Sequence, residues 1–214
     1  FTELGSGIKI AMRDLEIRGA GNVLGAEQHG HMEAVGYDLY CKMLNEAVLA
    51  LKGETVESET YETVVECDIN AYIPAYYIKN EYQKLDIYKR ISAIETEDEY
   101  MDMQDELTDR FGDIPKSVEN LLKIAALKAM AHRAYVTEVS INRQEVRLTM
   151  YQKARLKVEL IPEFVQSYKG KLKMMPGEVP VLLYTDTRNK NKDSFPMMKM
   201  ARELVEGLTG LTEG

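Results

Sequence analysis

Between Ile87 and Ala125 the apolar side chains recur every three or four positions, whereas on both sides of that run they recur every second position. A stretch with one period cannot settle as the other element, so the order of these blocks bounds the fold more tightly than any single motif. The first helix predicted by the spacing carries Ile87, Ile91 and Ile94. A second starts at Thr96, whose hydroxyl can pair with the amide of Glu99 in a capping box; it buries Tyr100, Met103 and Leu107 and stops at Gly112. A third begins near Pro115 and presents Val118, Leu121, Leu122 and Ala125. Upstream, residues 61–72 alternate like a strand closed by Ile73-Pro74. Downstream, 136–141 and 146–150 alternate around Asn142-Arg143-Gln144 as a hairpin would, followed by a short helix (162–168), a second strand pair (171–175 and 181–185) and a last amphipathic helix through Met197, Ala201, Leu204 and Leu208. Helices in one block and strands in others, without βαβ alternation, predict an α+β domain over residues 61–214.

The first quarter of the chain is organised differently. Residues 1–32 hold six glycines, four of them behind the alternating Ile8-Lys9-Ile10-Ala11-Met12, which predicts a strand running into a long loop. Tyr37, Tyr40, Leu44, Val48 and Leu51 then follow a helical spacing that Gly53 would terminate. Residues 54–60 are polar and are expected to be a linker.

Of the 214 residues, 35 are acidic and 27 basic, a formal net charge of −8. The excess is local. Residues 53–110 hold sixteen acids against five bases, and 111–175 reverse the balance with six acids against twelve bases. Between Glu95 and Asp109 stand eight acids and no base. On a helix Asp102, Asp105, Glu106 and Asp109 fall in one stripe opposite Tyr100, Met103 and Leu107, a placement that costs a few tenths of a kcal/mol per like-charged pair. The dipole adds a penalty at Asp109, near the helix C-terminus. Such a stripe is either a docking surface for a basic protein partner or a solvated face; it repels phosphate in both cases. The twelve bases of the following segment, which runs from Lys116 to Lys173, raise the separate possibility of direct DNA contact, although they are scattered over a helix and several strands.

Chemistry is sparse. No 18-residue apolar run is present, so no membrane span is expected. Cys41 and Cys67 sit inside periodic apolar segments and read as small buried hydrophobes in a reducing, cytoplasmic setting rather than as a disulfide framework. Neither can be placed in a catalytic triad. His29, His31 and Cys41 lack a second ligand pair at zinc-site spacing, so no metal site is expected. The glycine loop Arg18-Gly19-Ala20-Gly21-Asn22-Val23-Leu24-Gly25 fails as a dinucleotide fingerprint because Leu24 occupies the third glycine's place. It fails as a phosphate-binding loop because His31 and Met32 follow Gly30 where a Lys and a hydroxyl residue are required. Its polar cargo of Arg13, Asp14, Glu16, Arg18, Glu27 and Gln28 is nonetheless unusual for a plain connection. The chain opens mid-pattern at Phe1, without an initiator Met or signal peptide, and is expected to be a piece of a longer polypeptide.

Read as a whole, the run Met12-Arg13-Asp14-Leu15-Glu16-Ile17-Arg18-Gly19-Ala20-Gly21-Asn22-Val23-Leu24-Gly25-Ala26-Glu27-Gln28-His29-Gly30 resembles the translocation motif shared by RecG helicases and the transcription-repair coupling factors. His29 departs from it, since that family more often carries Ser there. The resemblance implies that residues 1–53 are the end of a second RecA-like motor domain with its helical hairpin. It implies that Arg18 and Gln28, with Arg13, Asp14, Glu16, Gly19, Gly21 and Gly25 shaping the motif, couple ATP hydrolysis to movement on double-stranded DNA. RecG chains end soon after the motif, whereas here about 160 residues continue. These resemble the C-terminal domain of the coupling factors at Ala71-Tyr72-Ile73-Pro74, at Leu85-Asp86-Ile87-Tyr88-Lys89-Arg90-Ile91 and at Glu106-Leu107-Thr108-Asp109-Arg110-Phe111-Gly112-Asp113-Ile114-Pro115.

The family implies a parent motor that uses ATP and magnesium, displaces stalled RNA polymerase and recruits excision repair through UvrA. It also implies a C-terminal regulatory domain that docks on the N-terminal UvrA-binding module and represses the motor; Glu106 and Asp109, with Asp102 and Asp105 in support, are expected to make that contact. No Walker lysine or Asp-Glu box is present, so no cofactor and no ATP hydrolysis are expected of this chain by itself. The rival expectations are a standalone interaction module without a motor role and a RecG-like C-terminal part.

Overall fold

The computed structural model describes residues 61–175, 177–188 and 194–212. The glycine loop, the helix expected over Tyr37 to Leu51 and the linker 54–60 lie outside the described residues, as do Arg13, Asp14, Glu16, Arg18, Gln28, His29, His31 and Cys41. Among the described residues the order is β1 (Val64–Cys67), α1 (Glu81–Ser92), α2 (Glu97–Phe111), α3 (Lys116–Arg133), β2 (Val136–Ile141), β3 (Glu145–Met150), a 3-10 turn (Val158–Leu160), α4 (Ile161–Ser167), β4 (Leu172–Met175), β5 (Val181–Thr185) and α5 (Phe195–Thr209). The strands form one mixed sheet in the order β1-β2-β3-β5-β4. The β1–β2 pair is parallel, joined through α1, α2 and α3, and every other pair is antiparallel. This is the α+β arrangement that the segregated periods predict.

Alternation decides which face of the sheet is covered. Val65, Val139, Leu148 and Leu182 stand in register across four strands and are all buried, as are Cys67, Ile141, Val146 and Tyr184 in the next row. Helices α3 and α5 pack on that face, and α1 and α2 lie outside α3. The opposite face carries Glu66, Ser140, Arg147 and Leu183 in register and is partly open among the described residues. Cys67 is buried in β1, as expected, and burial pushes its thiol up to about 11, which makes it an unreactive packing group.

Two boundaries differ from the sequence expectation. The alternation over residues 61–72 yields a strand of only four residues, because β2 ends at Ile141, opposite Cys67, and nothing is left to pair with. Ile69, Ala71 and Ile73 continue to point inward without a ladder, and the chain is held instead by the Tyr72 amide donating to Ser117 O and the Ile73 amide to the Tyr88 hydroxyl at 2.8 Å. Helix α1 also stops before Ile94, which is buried just beyond its end.

The start of the domain is clasped at the C-terminus of α3. The Tyr61 ring stacks on Tyr151 at 4.4 Å and lies 4.5 Å from His132, whose carbonyl accepts its hydroxyl. Thr63 donates to Val136 O at 2.7 Å, and its oxygen is 3.2 Å from His132 Nδ1.

Candidate docking surface

The three motifs quoted above meet in space, and their joint product is the placement of α2. Ala71 and Ile73 are buried, and the amides of Tyr77 and Ile78 donate to Pro74 O to make the turn that leads into α1. In α1, Ile87, Tyr88 and Ile91 face the core. The Tyr77 hydroxyl lies 3.1 Å from Leu107 O and 3.2 Å from Gly112 O, and its ring packs 5.8 Å from Phe111, so one tyrosine holds the C-terminal turn of α2. Gly112 stops the helix at φ +83°, a left-handed conformation that L side chains adopt at a cost.

Helix α2 begins with the predicted capping box. The Glu99 amide donates to Thr96 Oγ1 at 3.2 Å, and the Glu99 carboxylate accepts from the Glu95 and Thr96 amides at 2.7 and 3.1 Å. Those amide bonds hold the Glu99 carboxyl below the usual carboxylate range. Tyr100, Met103 and Leu107 are buried, so the opposite side of the helix is fixed toward solvent with Asp102, Asp105 and Asp109 exposed along it. Met101 is 55% exposed beside them, an apolar side chain at the edge of a carboxylate row.

Glu106 stands apart from the other three. It is half-buried between two guanidinium groups, Arg90 from α1 and Arg110 one turn further along α2. Arg90 Nη1 donates to Oε1 at 2.6 Å while Nη2 donates to Oε2, a fork-to-fork pair, and Arg110 Nη1 also donates to Oε1. The Arg90 bonds, then those of Arg110, pull the Glu106 carboxyl down to about 2 and the Arg90 guanidinium up. The stripe expected from sequence is therefore divided: three carboxylates face outward, and the fourth joins α1 to α2. The Arg110 contact was legible at i+4 spacing, but the Arg90 contact depends on the way the two helices cross. A further link, Arg202 to Glu97 at 3.2 Å, ties the start of α2 to α5 and was equally invisible in the sequence.

The basic segment does not form one face. Lys116 and Lys123 both pair with Glu119 on α3, Lys171 pairs with Asp186 at 2.8 Å, and Arg147 lies on the open side of the sheet. No group of three or more His, Cys, Asp or Glu residues able to hold a metal ion is found among the described residues, and no described helix is long and apolar enough to cross a membrane.

Comparison with known proteins adds a family to this geometry. Residues 67–161 match the TRCF domain. The chain is 48% identical over 159 residues to the transcription-repair-coupling factor of Bacillus subtilis (strain 168), a match covering 74% of this chain and 14% of the relative. It is 51% identical over 138 residues to the transcription-repair-coupling factor of Staphylococcus aureus (strain USA300), covering 64% of this chain and 12% of the relative. The matched part therefore spans about one seventh of the length of these relatives. A solved structure, the C-terminal domain of transcription-repair coupling factor, superposes with a TM-score of 0.60 at 22% identity over 73% of this chain and 98% of that one, which establishes a shared fold.

Proposed function

Residues 67–161 form a TRCF domain and so belong to the transcription-repair-coupling-factor family, and from that premise we propose that the chain supplies two parts of such a factor. The first is the translocation motif of an ATP-dependent double-stranded DNA translocase that displaces stalled RNA polymerase and brings in excision repair through UvrA. The second is an autoinhibitory domain that docks on the N-terminal UvrA-binding module. The observation supporting the second part is the outward row Asp102, Asp105 and Asp109, on a helix whose position is fixed by Tyr77, Gly112 and the Glu106 clamp.

Three like charges on one helical face carry a self-repulsion that a basic partner surface relieves. Pairs at an exposed rim are each worth about 0–1 kcal/mol, so several together give a dock that holds and still releases. The carboxylates offered to the partner are Asp102, Asp105 and Asp109, and Glu106 orients them through Arg90 and Arg110 rather than meeting the partner as a free charge. ATP and magnesium belong to the motor domains of the parent protein, and no described residue is assigned to them.

The test uses the parent factor. Reversing Asp102, Asp105 and Asp109 to Lys should raise basal ATPase and UvrA binding together, because both are held down by the same dock; unchanged values of both would refute the reading. For the first part, Arg18→Ala should leave nucleotide binding intact and abolish displacement of a stalled polymerase. Displacement that survives would reduce Arg18 to a loop-shaping residue.

A further inference from the structure

Among the described residues the sheet is not fully covered. At the corner where the β4–β5 hairpin meets α4 and the loop after β3, the buried face opens into a cavity of about 160 Å³. Met150, Leu182 and Leu208 form its floor, Phe164 and Ile161 one wall, and Met174 its rim. Val158 and Met174, two of the ten large apolar side chains exposed among the described residues, line it, and the exposed Leu160 lies next to its wall residue Ile161. A clustering of that kind marks a binding surface more often than chance exposure. An apolar cavity of about 150 Å³ is large enough for one benzene ring.

The surroundings carry the opposite charge to the chain as a whole. Residues 150–175 hold six bases and two acids, Glu159 and Glu163. Lys171 is occupied by Asp186, but the exposed Arg155 and the half-buried Lys157 lie on the loop beside the cavity, on either side of Leu156, which lines the cavity and whose backbone bridges Thr212. Charges beyond about 10 Å are largely screened at 0.1 M salt, so this local excess and not the net −8 is what an arriving partner meets.

We infer that this corner is a second docking site, separate from the α2 face, for an acidic segment of a partner protein that inserts one large apolar side chain. The cavity takes the side chain and the Arg155–Lys157 loop takes the flanking carboxylates. The site is independent of the α2 face, because no residue of it belongs to α1 or α2.

A fluorescein-labelled peptide with one phenylalanine between two runs of three glutamates is a suitable probe, titrated with the full 214-residue chain and read by anisotropy. Binding should weaken by about ten-fold or more when the phenylalanine becomes serine, the loss expected for one buried aromatic side chain. It should weaken comparably in Arg155→Glu/Lys157→Glu and in Met174→Glu, substitutions at exposed or half-buried positions that thermal unfolding can verify as folded. Methyl resonances of Met150 and Met174 should shift on binding. Indifference to the serine substitution, unshifted Met150 and Met174 methyls, displacement of the peptide by a DNA duplex, or loss of the probe site to self-association in sedimentation would each overturn the assignment.

Discussion

Single residues carry more of this architecture than their exposure suggests. Glu106 is the clearest case: folded, its carboxyl is held down to about 2 by Arg90 and Arg110, whereas unfolded it reverts to near 4.5. A depressed carboxylate contributes stability that is complete above the unfolded value and is lost as pH falls through the folded one. Acid titration should therefore destabilise the chain between about pH 4.5 and pH 2, and Glu106→Gln should flatten that part of the curve, measured by urea unfolding at each pH. Gly207 is a second case, inside α5, where helix propensity alone would favour alanine by about 1 kcal/mol. A Cβ there would stand 2.4 Å from Phe164 Cε2, so Phe164 must move off α5 to admit it. The usual overpacking cost of about 1–3 kcal/mol, less that propensity gain, leaves Gly207→Ala destabilising by up to about 2 kcal/mol in the same assay.

At the scale of elements, the sequence was most legible where local chemistry alone decides the outcome. The Thr96–Glu99 capping box, the stop at Gly112 and the buried set Tyr100, Met103 and Leu107 all follow from spacing, and α2 occupies the range they imply. Thr96→Ala should cost about 1 kcal/mol in urea unfolding, the usual loss for an N-cap hydroxyl. The sheet was legible as strands but not as a topology. Alternation in residues 61–72 does not reveal that β1 lies at an edge, parallel to β2, and runs out of partner at Cys67. The carboxylate row was legible as a row, yet the division within it was not, because Arg90 is sixteen residues away and only the crossing of α1 over α2 brings it to Glu106. Likewise the basic bias of residues 150–175 is plain in the sequence, while the apolar cavity it surrounds is assembled from β3, β5, α4 and α5 together.

Over the molecule, the charge imbalance resolves into two surfaces of opposite character. The α2 face presents Asp102, Asp105 and Asp109 on a clamped helix, and the corner beside β4 presents an apolar cavity behind basic side chains. The covered sheet face and α3 lie between them and supply most of the common core. In the function proposed above, the acidic face is the one that would meet the N-terminal UvrA-binding module and repress the motor. The affinity of this chain for that separated module, followed against salt by calorimetry, tests that claim most directly. The account predicts binding that weakens steadily as salt rises and is lost in Asp102→Lys/Asp105→Lys/Asp109→Lys, with Thr96→Ala binding nearly as well as the parent sequence. Affinity indifferent to both salt and the three reversals would contradict it.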